Sequence, residues 1–123
     1  LWISNGFVFN HESPLRPEKF VIKKIIKSAN LIKLNKLDKI TIGDVSIQRD
    51  WGWAPEFVKF IYKISELKKA DDFIIATGKT TKLKDILIYI FKILKINPKN
   101  KMKINKKLFR QSEIKKNIAN ISK

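Results

Sequence analysis

The sequence of 123 residues contains no cysteine, one histidine and only 11 acidic residues. The absence of cysteine excludes a disulfide framework and a thiolate metal site. The single histidine, His11, has no second histidine and no cluster of carboxylates beside it, so we expect no metal site. A chain without disulfides is compatible with a reducing compartment, and we expect a cytoplasmic location.

Long apolar runs are missing as well. The most apolar stretch, residues 86–96, is interrupted by Lys92 and Lys95 and is too short to cross a bilayer. Residues 1–9 lack the basic start and the cleavage site of a signal peptide. We therefore expect a protein that does not associate with a membrane.

The shortage of acidic residues leaves a large positive charge. The chain has 27 Lys and Arg residues against 11 acidic ones, which gives a formal net charge of +16. One interpretation is a small basic nucleic-acid-binding module, which would present one continuous basic face. The other is compositional drift toward Lys, Ile and Asn. The lysines are spread through every segment, with a mild excess at 99–107, so we favour drift and expect no nucleic-acid partner.

Hydrophobic residues make up 44% of the chain, which is enough for one modest domain with a core. Their spacing changes between the period of strands and that of helices, and we expect an α/β fold. The predicted strands cover about residues 2–9, 39–47, 72–77, 101–104 and 114–118, and the predicted helices about residues 17–34, 53–70 and 82–94.

Several local signals refine these elements. Residues 39–47 are expected to form a β-hairpin that turns at Gly43-Asp44. Pro17 and Pro55 suit the first turns of the first and second helices. Thr80 or Thr81 is expected to cap the third helix. Residues 72–77, between the second and third predicted helices, are almost fully apolar. This is typical of a strand that a parallel sheet buries on both faces.

Both ends of the sequence look cut. Residue 1 lies inside a predicted strand, and residues 120–123 resemble the start of a helix with no helix behind it. We therefore expect a fragment of a longer chain.

Two stretches place polar and turn-forming residues directly after apolar runs. They are Asn10–Pro14 (Asn-His-Glu-Ser-Pro) and Arg49–Gly52 (Arg-Asp-Trp-Gly). Binding sites in open α/β sheets form where strands end and loops begin. Arg49 is the strongest single candidate, because a guanidinium matches phosphate oxygens two at a time. We interpret its neighbour Asp50 as a surface ion partner.

These stretches also resemble a known family. Asn5–Pro14 is similar to a family segment that reads Asn-Gly-apolar-apolar-Phe-Asn-His-Glu-Ser-Pro. Arg49–Gly52 matches its Arg-Asp-Trp-Gly, and Asp71–Gly78 resembles its Asp-Asp-Phe-Val-Ile-Ala-Thr-Gly. The family is GDP-mannose 4,6-dehydratase, of the extended short-chain dehydrogenase/reductase type. The resemblance runs in register over the whole chain and is weakest at 94–107.

The resemblance implies the carboxy-terminal part of that α/β fold. It would comprise the end strands of a Rossmann-type sheet and the small mixed α/β substrate-binding lobe, truncated at both ends. The whole chain would then be a single partial domain, 1–123, without the amino-terminal NADP-binding Rossmann part. The intact enzyme would be a homo-oligomer, either a dimer or a tetramer.

The resemblance also implies the residues that bind GDP-mannose. Asn10 would reach the nucleotide sugar, Lys24 the diphosphate and Val21 the base. Gly43 would let the backbone approach the guanine, since a side chain there would crowd it. The full substrate-binding set is Asn10, Val21, Lys24, Gly43, Arg49, Arg110 and Glu113.

Two further pairs of residues follow from the resemblance. Arg110 would hold phosphate and Glu113 the ribose hydroxyls. The family motif reads Arg-Pro-x-Glu-Val-Asp, and this sequence has Lys115 at the position of the final aspartate. His11 and Arg16 would contact the NADP cofactor. The loop around Arg16 also meets a neighbouring subunit in the family, and it has one arginine where the family has two.

Each of these residues also has an ordinary structural interpretation. Asn10 suits a turn that bonds its own backbone, and Lys24 suits a solvated helix position. Arg110 and Glu113 suit a solvated ion pair of little energetic worth. A lone histidine is more often structural than catalytic. The ordered match of three motifs is what favours the binding roles.

Catalytic motifs are absent from the sequence. The dehydratases transfer a hydride from the sugar to NADP, eliminate water and return the hydride. This chemistry requires a Gly-rich turn, a Tyr-x-x-x-Lys pair, and a threonine and a glutamate for the elimination. Tyr62 and Tyr89 have no lysine four residues later. We predict no catalytic residue and no activity for this chain alone. The alternative to this family is a portion of another nucleotide-sugar epimerase or dehydratase.

Overall fold

The computed structural model describes residues 3–122, and the chain forms two compact units. The first unit comprises residues 3–13, Arg49–Thr80 and residues 117–122. The second unit comprises Pro14–Gln48 and Thr81–Lys116. The strands are β1 (Asn5–Val8), β2 (Asn10–Glu12), β3 (Ile40–Ile42), β4 (Gln48–Arg49), β5 (Trp51–Trp53), β6 (Asp72–Ile75), β7 (Thr81–Lys82), β8 (Met102–Ile104) and β9 (Lys116–Asn117). The helices are α1 (Val21–Lys33), α2 (Ala54–Ser65) and α3 (Leu83–Ile93), with a 3₁₀ turn at Lys106–Leu108.

The first unit contains two pairs of parallel strands. β1 pairs with β6, with Asn5 opposite Asp72, and β2 pairs with β5, with Asn10 opposite Trp51. The Asn5 side-chain amide also donates to the Asp72 carboxylate at 2.8 Å. Parallel pairing requires a crossover connection, and the chain between β1 and β6 is long enough to supply one.

Helix α2 belongs to this unit and packs against β2 and β5. It begins with Pro55 in its first turn, as predicted, where the missing N–H of proline costs nothing. Its buried residue is Phe57, which lies with Ile75 and Ala119 in the core of the unit.

The second unit is built on α1 and α3, which contact each other, and on β3, which contacts α1. β3 pairs in parallel with β8. The buried apolar residues recur every three or four positions along each helix, so that each helix presents one continuous stripe. They are Ile25, Ala29 and Ile32 on α1, Leu83, Leu87 and Phe91 on α3, and Ile40 and Ile42 on β3. Each fully buried Leu, Ile or Phe contributes roughly 1.5–3 kcal/mol.

The predicted hairpin at 39–47 is wrong. The partner of β3 is β8, some sixty positions further along the chain. The carbonyl groups of Val45 and Ile47 accept from the amides of Lys84 and Leu83 at the start of α3, both at 3.0 Å. Those two carbonyl groups are therefore bonded to α3 instead of to a neighbouring strand.

The same contacts overturn the predicted cap of α3. Its N-cap is Lys82, and no side chain caps it, although its bounds agree closely with the predicted 82–94. The first amides of a helix have no partner within the helix. Here the carbonyl groups of Val45 and Ile47 accept from two of them, so a threonine cap is not needed.

Other predicted bounds were too long. Helix α1 begins at Val21, because residues 17–20 form a turn in which the Phe20 amide donates to the Pro17 carbonyl at 3.1 Å. Helix α2 ends at Ser65 instead of near residue 70. The first strand ends at Val8, β2 occupies part of the predicted loop, and the predicted start near residue 2 lies outside the described residues.

The strand at 72–77 is shorter and more exposed than predicted. β6 is parallel, as expected, and Ile75 is buried. However, Ile74 is 49% exposed, so in this structure only one face of the strand is covered. Among residues 3–122, no helix has the length and apolar character that a membrane span requires.

Candidate functional site

Three of the predicted site residues belong to the first unit. Asn10 and His11 lie on β2, opposite Trp51 and Gly52 of β5. Arg49 lies at the end of β4, two residues before Trp51. The structure therefore places the Asn-His-Glu-Ser-Pro and Arg-Asp-Trp-Gly motifs on paired strands, and all three side chains are half-buried.

His11 is held in place by its own neighbourhood. Its Nδ1 lies 3.0 Å from the Phe9 carbonyl oxygen, and its ring centroid lies 5.4 Å from that of Phe57. Because a carbonyl group can only accept, Nδ1 carries the hydrogen in this contact. The ring therefore has one orientation and one preferred tautomer.

Asp50 is the most important residue that sequence reasoning misjudged. It is fully buried, so its interpretation as a surface ion partner is wrong. Its Oδ1 accepts from the Thr77 amide at 2.9 Å and from the Thr77 hydroxyl at 2.6 Å, and its Oδ2 accepts from the Gly78 amide at 2.8 Å. Successive backbone amides that point at one carboxylate form an anion-binding site inside the protein.

This carboxylate joins two of the motifs that the sequence shows. Asp50 belongs to Arg-Asp-Trp-Gly, and Thr77 and Gly78 end the segment Ala-Thr-Gly that follows β6. The backbone amide of Asp50 also donates to the Asn117 carbonyl at 3.1 Å. The residue next to Arg49 is therefore fixed by both its main chain and its side chain. The combination of Thr and Gly directly after an apolar strand was the signal that could have indicated this role.

Gly52 is required by close packing. A Cβ atom at this position would lie 2.1 Å from Cε2 and 2.7 Å from Cζ of Phe57. Real Cβ atoms do not approach other atoms this closely, so a side chain here would displace the buried ring. The glycine of Arg-Asp-Trp-Gly thus lets β5 lie directly on α2.

The remaining predicted site residues belong to the second unit. Val21 is the half-buried first residue of α1, and Lys24 is exposed one turn later on the same side. The guanidinium carbon of Arg16 lies 3.6 Å from the centroid of the Phe20 ring, which is a cation–π contact. The structure therefore brings a cation to the residue that precedes α1.

Gly43 follows β3 and lies against the chain near the 3₁₀ turn. A Cβ atom there would lie 3.0 Å from the Leu108 carbonyl oxygen and 3.3 Å from the Leu108 Cβ. A glycine at this position is therefore explained by the protein's own backbone. The expected approach to a guanine stays a prediction.

Asp44 follows Gly43 and forms an ion pair with Lys115. One of its oxygens also accepts from the Ser46 amide at 2.8 Å and from the Ser46 hydroxyl at 2.6 Å. These contacts, with the bond from Lys115 first, lower the pKa of Asp44 from 3.8 to about 2. Its side chain is only 13% exposed.

The lowered pKa of Asp44 predicts a dependence of stability on pH. A group whose pKa is depressed in the folded state contributes stability above its unfolded pKa, and the contribution is lost as the pH falls through the folded pKa. The stability that Asp44 adds is therefore complete above pH 3.8 and disappears toward pH 2. Chemical denaturation at several pH values should show that Asp44→Asn removes part of the acid sensitivity. A variant with an unchanged profile between pH 4 and pH 2 would contradict this assignment.

Arg110 and Glu113 lie close to each other, as their spacing predicted. Arg110 Nε lies 3.8 Å from Glu113 Oε2, and the Glu113 amide donates to the Arg110 carbonyl at 3.3 Å. The Arg110 side chain is 84% exposed and that of Glu113 is 20% exposed. An ion pair with this exposure adds little stability.

Among residues 3–122, no group of three or more His, Cys, Asp or Glu side chains could hold a metal ion. The first unit thus offers an amide, an imidazole and a guanidinium. The second unit offers two cations near the start of α1 and the Arg110–Glu113 pair. These groups can hold phosphate oxygens and the hydroxyl groups of a sugar.

Comparison with known proteins identifies the family to which the sequence is similar. The profile of the GDP-mannose 4,6 dehydratase family matches residues 1–123. GDP-mannose 4,6 dehydratase 1 of Arabidopsis thaliana is 35% identical over 114 residues, which is 93% of this chain and 32% of that protein. The chain therefore spans about a third of the length of this relative.

Solved structures support the fold. RMD of Pseudomonas aeruginosa, complexed with NADPH, superimposes with a TM-score of 0.80 at 16% identity, over 90% of this chain and 36% of that one. The dTDP-glucose 4,6-dehydratase of Bacillus anthracis, in complex with NAD, gives a TM-score of 0.79 at 14% identity, over 94% and 35%. The predicted α/β fold of the extended short-chain dehydrogenase/reductase type is confirmed.

Proposed function

The chain belongs to the GDP-mannose 4,6-dehydratase family, and we propose that it forms the nucleotide-sugar-binding part of such an enzyme. The complete enzyme is a lyase that converts GDP-mannose to GDP-4-keto-6-deoxymannose. The observation that carries the proposal is the pairing of β2 with β5, because it brings two family motifs side by side.

Two of the proposed residues suit the phosphates of the nucleotide. Arg49 presents a guanidinium, which binds phosphate oxygens in pairs, and Asn10 presents an amide. The adjacent buried Asp50 supports this role, because it fixes the backbone that carries Arg49. A phosphate ligand gains most from a cation whose backbone does not have to be ordered on binding.

The other proposed residues suit the nucleoside and a further phosphate contact. Lys24 takes the diphosphate, while Val21 and Gly43 lie against the guanine. Arg110 takes phosphate and Glu113 accepts from the ribose hydroxyls. A carboxylate with two oxygens can accept from both hydroxyls of a diol.

The cofactor of the complete enzyme is a nicotinamide dinucleotide, and we propose NADP. His11 and Arg16 of this chain would contact it. Both residues fit such a group, because the His11 ring is oriented by Phe9 and Phe57, and the Arg16 guanidinium is placed over Phe20. When bound, the cofactor would supply hydride transfer, and the Arg16 guanidinium would supply donors for its phosphate groups.

The catalytic side chains would come from the rest of the enzyme. We expect a homo-oligomer in the cytoplasm that uses GDP-mannose as its substrate. This chain by itself should hold the nucleotide and should not turn over the sugar.

Binding of nucleoside diphosphates tests the proposal. Isothermal titration of the chain with GDP and with UDP should give an affinity for GDP that is tighter by about tenfold or more. A preference for UDP would instead favour another nucleotide-sugar epimerase or dehydratase. Equal binding of both, together with tight binding of DNA that falls steeply with salt, would favour a basic nucleic-acid-binding module.

A further inference from the structure

One short loop of the second unit, residues 108–115, has both of its ends attached to the same corner of the fold. The loop carries Arg110 and Glu113. The corner consists of Gly43 and Asp44, directly after β3. Fixing both ends of a short segment greatly reduces the conformations that its middle can adopt.

The first end is attached by backbone packing. Asn105 follows β8, and its amide donates to the Ile42 carbonyl at 2.9 Å. The Asn105 side chain then accepts from the Lys107 amide at 3.0 Å, which shapes the 3₁₀ turn. Leu108 ends that turn, and a Cβ atom on Gly43 would lie 3.0 Å from the Leu108 carbonyl oxygen, which is a tight contact.

The second end is attached by charge and by backbone. The ammonium group of Lys115 pairs with the Asp44 carboxylate, and the Lys115 carbonyl accepts from the Gln48 amide at 2.8 Å. Asp44 is itself held by both donors of Ser46. The lysine thus meets an acceptor that is already fixed in position.

We propose that the Asp44–Lys115 ion pair positions Glu113 for the ribose of the bound nucleotide, and that Lys115 is a positioning residue which does not itself touch the ligand. The inference rests on the proposed function, since it assumes that Glu113 accepts from the ribose hydroxyls. Lys115 lies two residues after Glu113, so a change in where Lys115 is held changes where the Glu113 carboxylate points.

Two ligands separate positioning from general stability. GDP carries both ribose hydroxyls, and 2′,3′-dideoxy-GDP carries neither. For the unaltered chain, GDP should bind about tenfold more tightly than the dideoxy ligand. Hydrogen bonds to a charged acceptor contribute a binding free energy of about this size. In Lys115→Met this ratio should fall to about twofold, because GDP loses about fivefold in affinity while the dideoxy ligand is almost unaffected.

Three further variants complete the experiment. Lys115→Arg keeps the ion pair and should keep the ratio. Lys116→Met removes the same charge from an exposed neighbouring lysine and should leave the ratio unchanged. Asp44→Asn removes the partner carboxylate and should reproduce the effect of Lys115→Met, which gives a second approach if one variant folds poorly.

The results distinguish the positioning role of Lys115 from the proposed nucleotide-binding function on which it rests. If Glu113→Gln removes the ratio and Lys115→Met does not, the positioning role is wrong while the ribose contact stands. If Lys115→Met weakens both ligands equally, the ion pair serves stability only, which also overturns the inference. If the unaltered chain does not bind GDP, the proposed function fails and the inference fails with it.

Discussion

Replacing Asp50 with alanine is expected to lower the free energy of unfolding of the first unit by about 3–5 kcal/mol. The carboxylate is fully buried and accepts three hydrogen bonds from Thr77 and Gly78. Its removal leaves the backbone amides of Thr77 and Gly78 without their acceptor, and each such donor costs roughly 1–3 kcal/mol. The Thr77 hydroxyl can still donate to the Lys79 carbonyl at 3.3 Å. Urea denaturation can measure the loss through the fluorescence of Trp51 and Trp53, which lie close to Asp50 in the chain.

Two variants sharpen this measurement. Asp50→Asn keeps the shape of the side chain, but its amide group meets the Gly78 amide as a second donor, so we expect an intermediate loss. Glu66→Gln also removes one negative charge from the first unit, at an exposed position, and should change the stability by less than about 0.5 kcal/mol. If Asp50→Ala were no more destabilising than Glu66→Gln, the buried carboxylate would not hold the two motifs together.

Replacing Arg49 with alanine is expected to cost about 2–5 kcal/mol of binding free energy for GDP. The loss is this large if the guanidinium contacts phosphate in a site from which water is excluded, because the phosphate charge is then left without a partner. Titration calorimetry with GDP measures the effect directly. The Asp50 carboxylate accepts hydrogen bonds from Thr77 and Gly78, so the thermal stability of the Arg49 variant should change less than that of Asp50→Ala.

A lysine at position 49 provides the matched comparison. It keeps the positive charge and loses the two-pronged geometry, so Arg49→Lys should recover only part of the affinity. Lys59→Ala removes an exposed cation from α2 and should leave GDP binding unchanged. Unchanged affinity in Arg49→Ala would remove Arg49 from the site, even if the chain binds GDP through other residues.

The two predictions test different features of the molecule. Asp50 concerns the backbone that carries the proposed phosphate ligand, and Arg49 concerns the ligand contact itself. A variant at Asp50 that still folds should also weaken GDP binding, because Arg49 is its direct neighbour. A variant at Arg49 should not unfold the chain.

Features that depend on near neighbours were predicted well from the sequence. The bounds of α3 follow from apolar residues that recur every three or four positions, and the start of α2 follows from Pro55. The polar ends of apolar strands indicated Asn10, His11 and Arg49 as candidates, and the structure places the motifs that contain them on paired strands. The α/β class and the family also follow from the sequence, because the order of the motifs can be recognised without knowing which residues are in contact.

Features that depend on distant partners were not predictable in this way. Residues 39–47 have the alternation of a hairpin, yet β3 pairs with β8 and the carbonyl groups of Val45 and Ile47 accept from the start of α3. No local pattern records which distant strand completes a pair. For the same reason the threonine cap expected for α3 was wrong, because the acceptors came from another part of the chain.

The sequence by itself determined which residue types stand at the ends of the strands, and hence what kind of ligand they suit. Only the tertiary structure decided that Asp50 is buried on Thr77 and Gly78 and that Asp44 meets Lys115. The physical reason is that a carboxylate has the same sequence signature in solvent and in the core. Its role depends on which donors the rest of the fold brings to it.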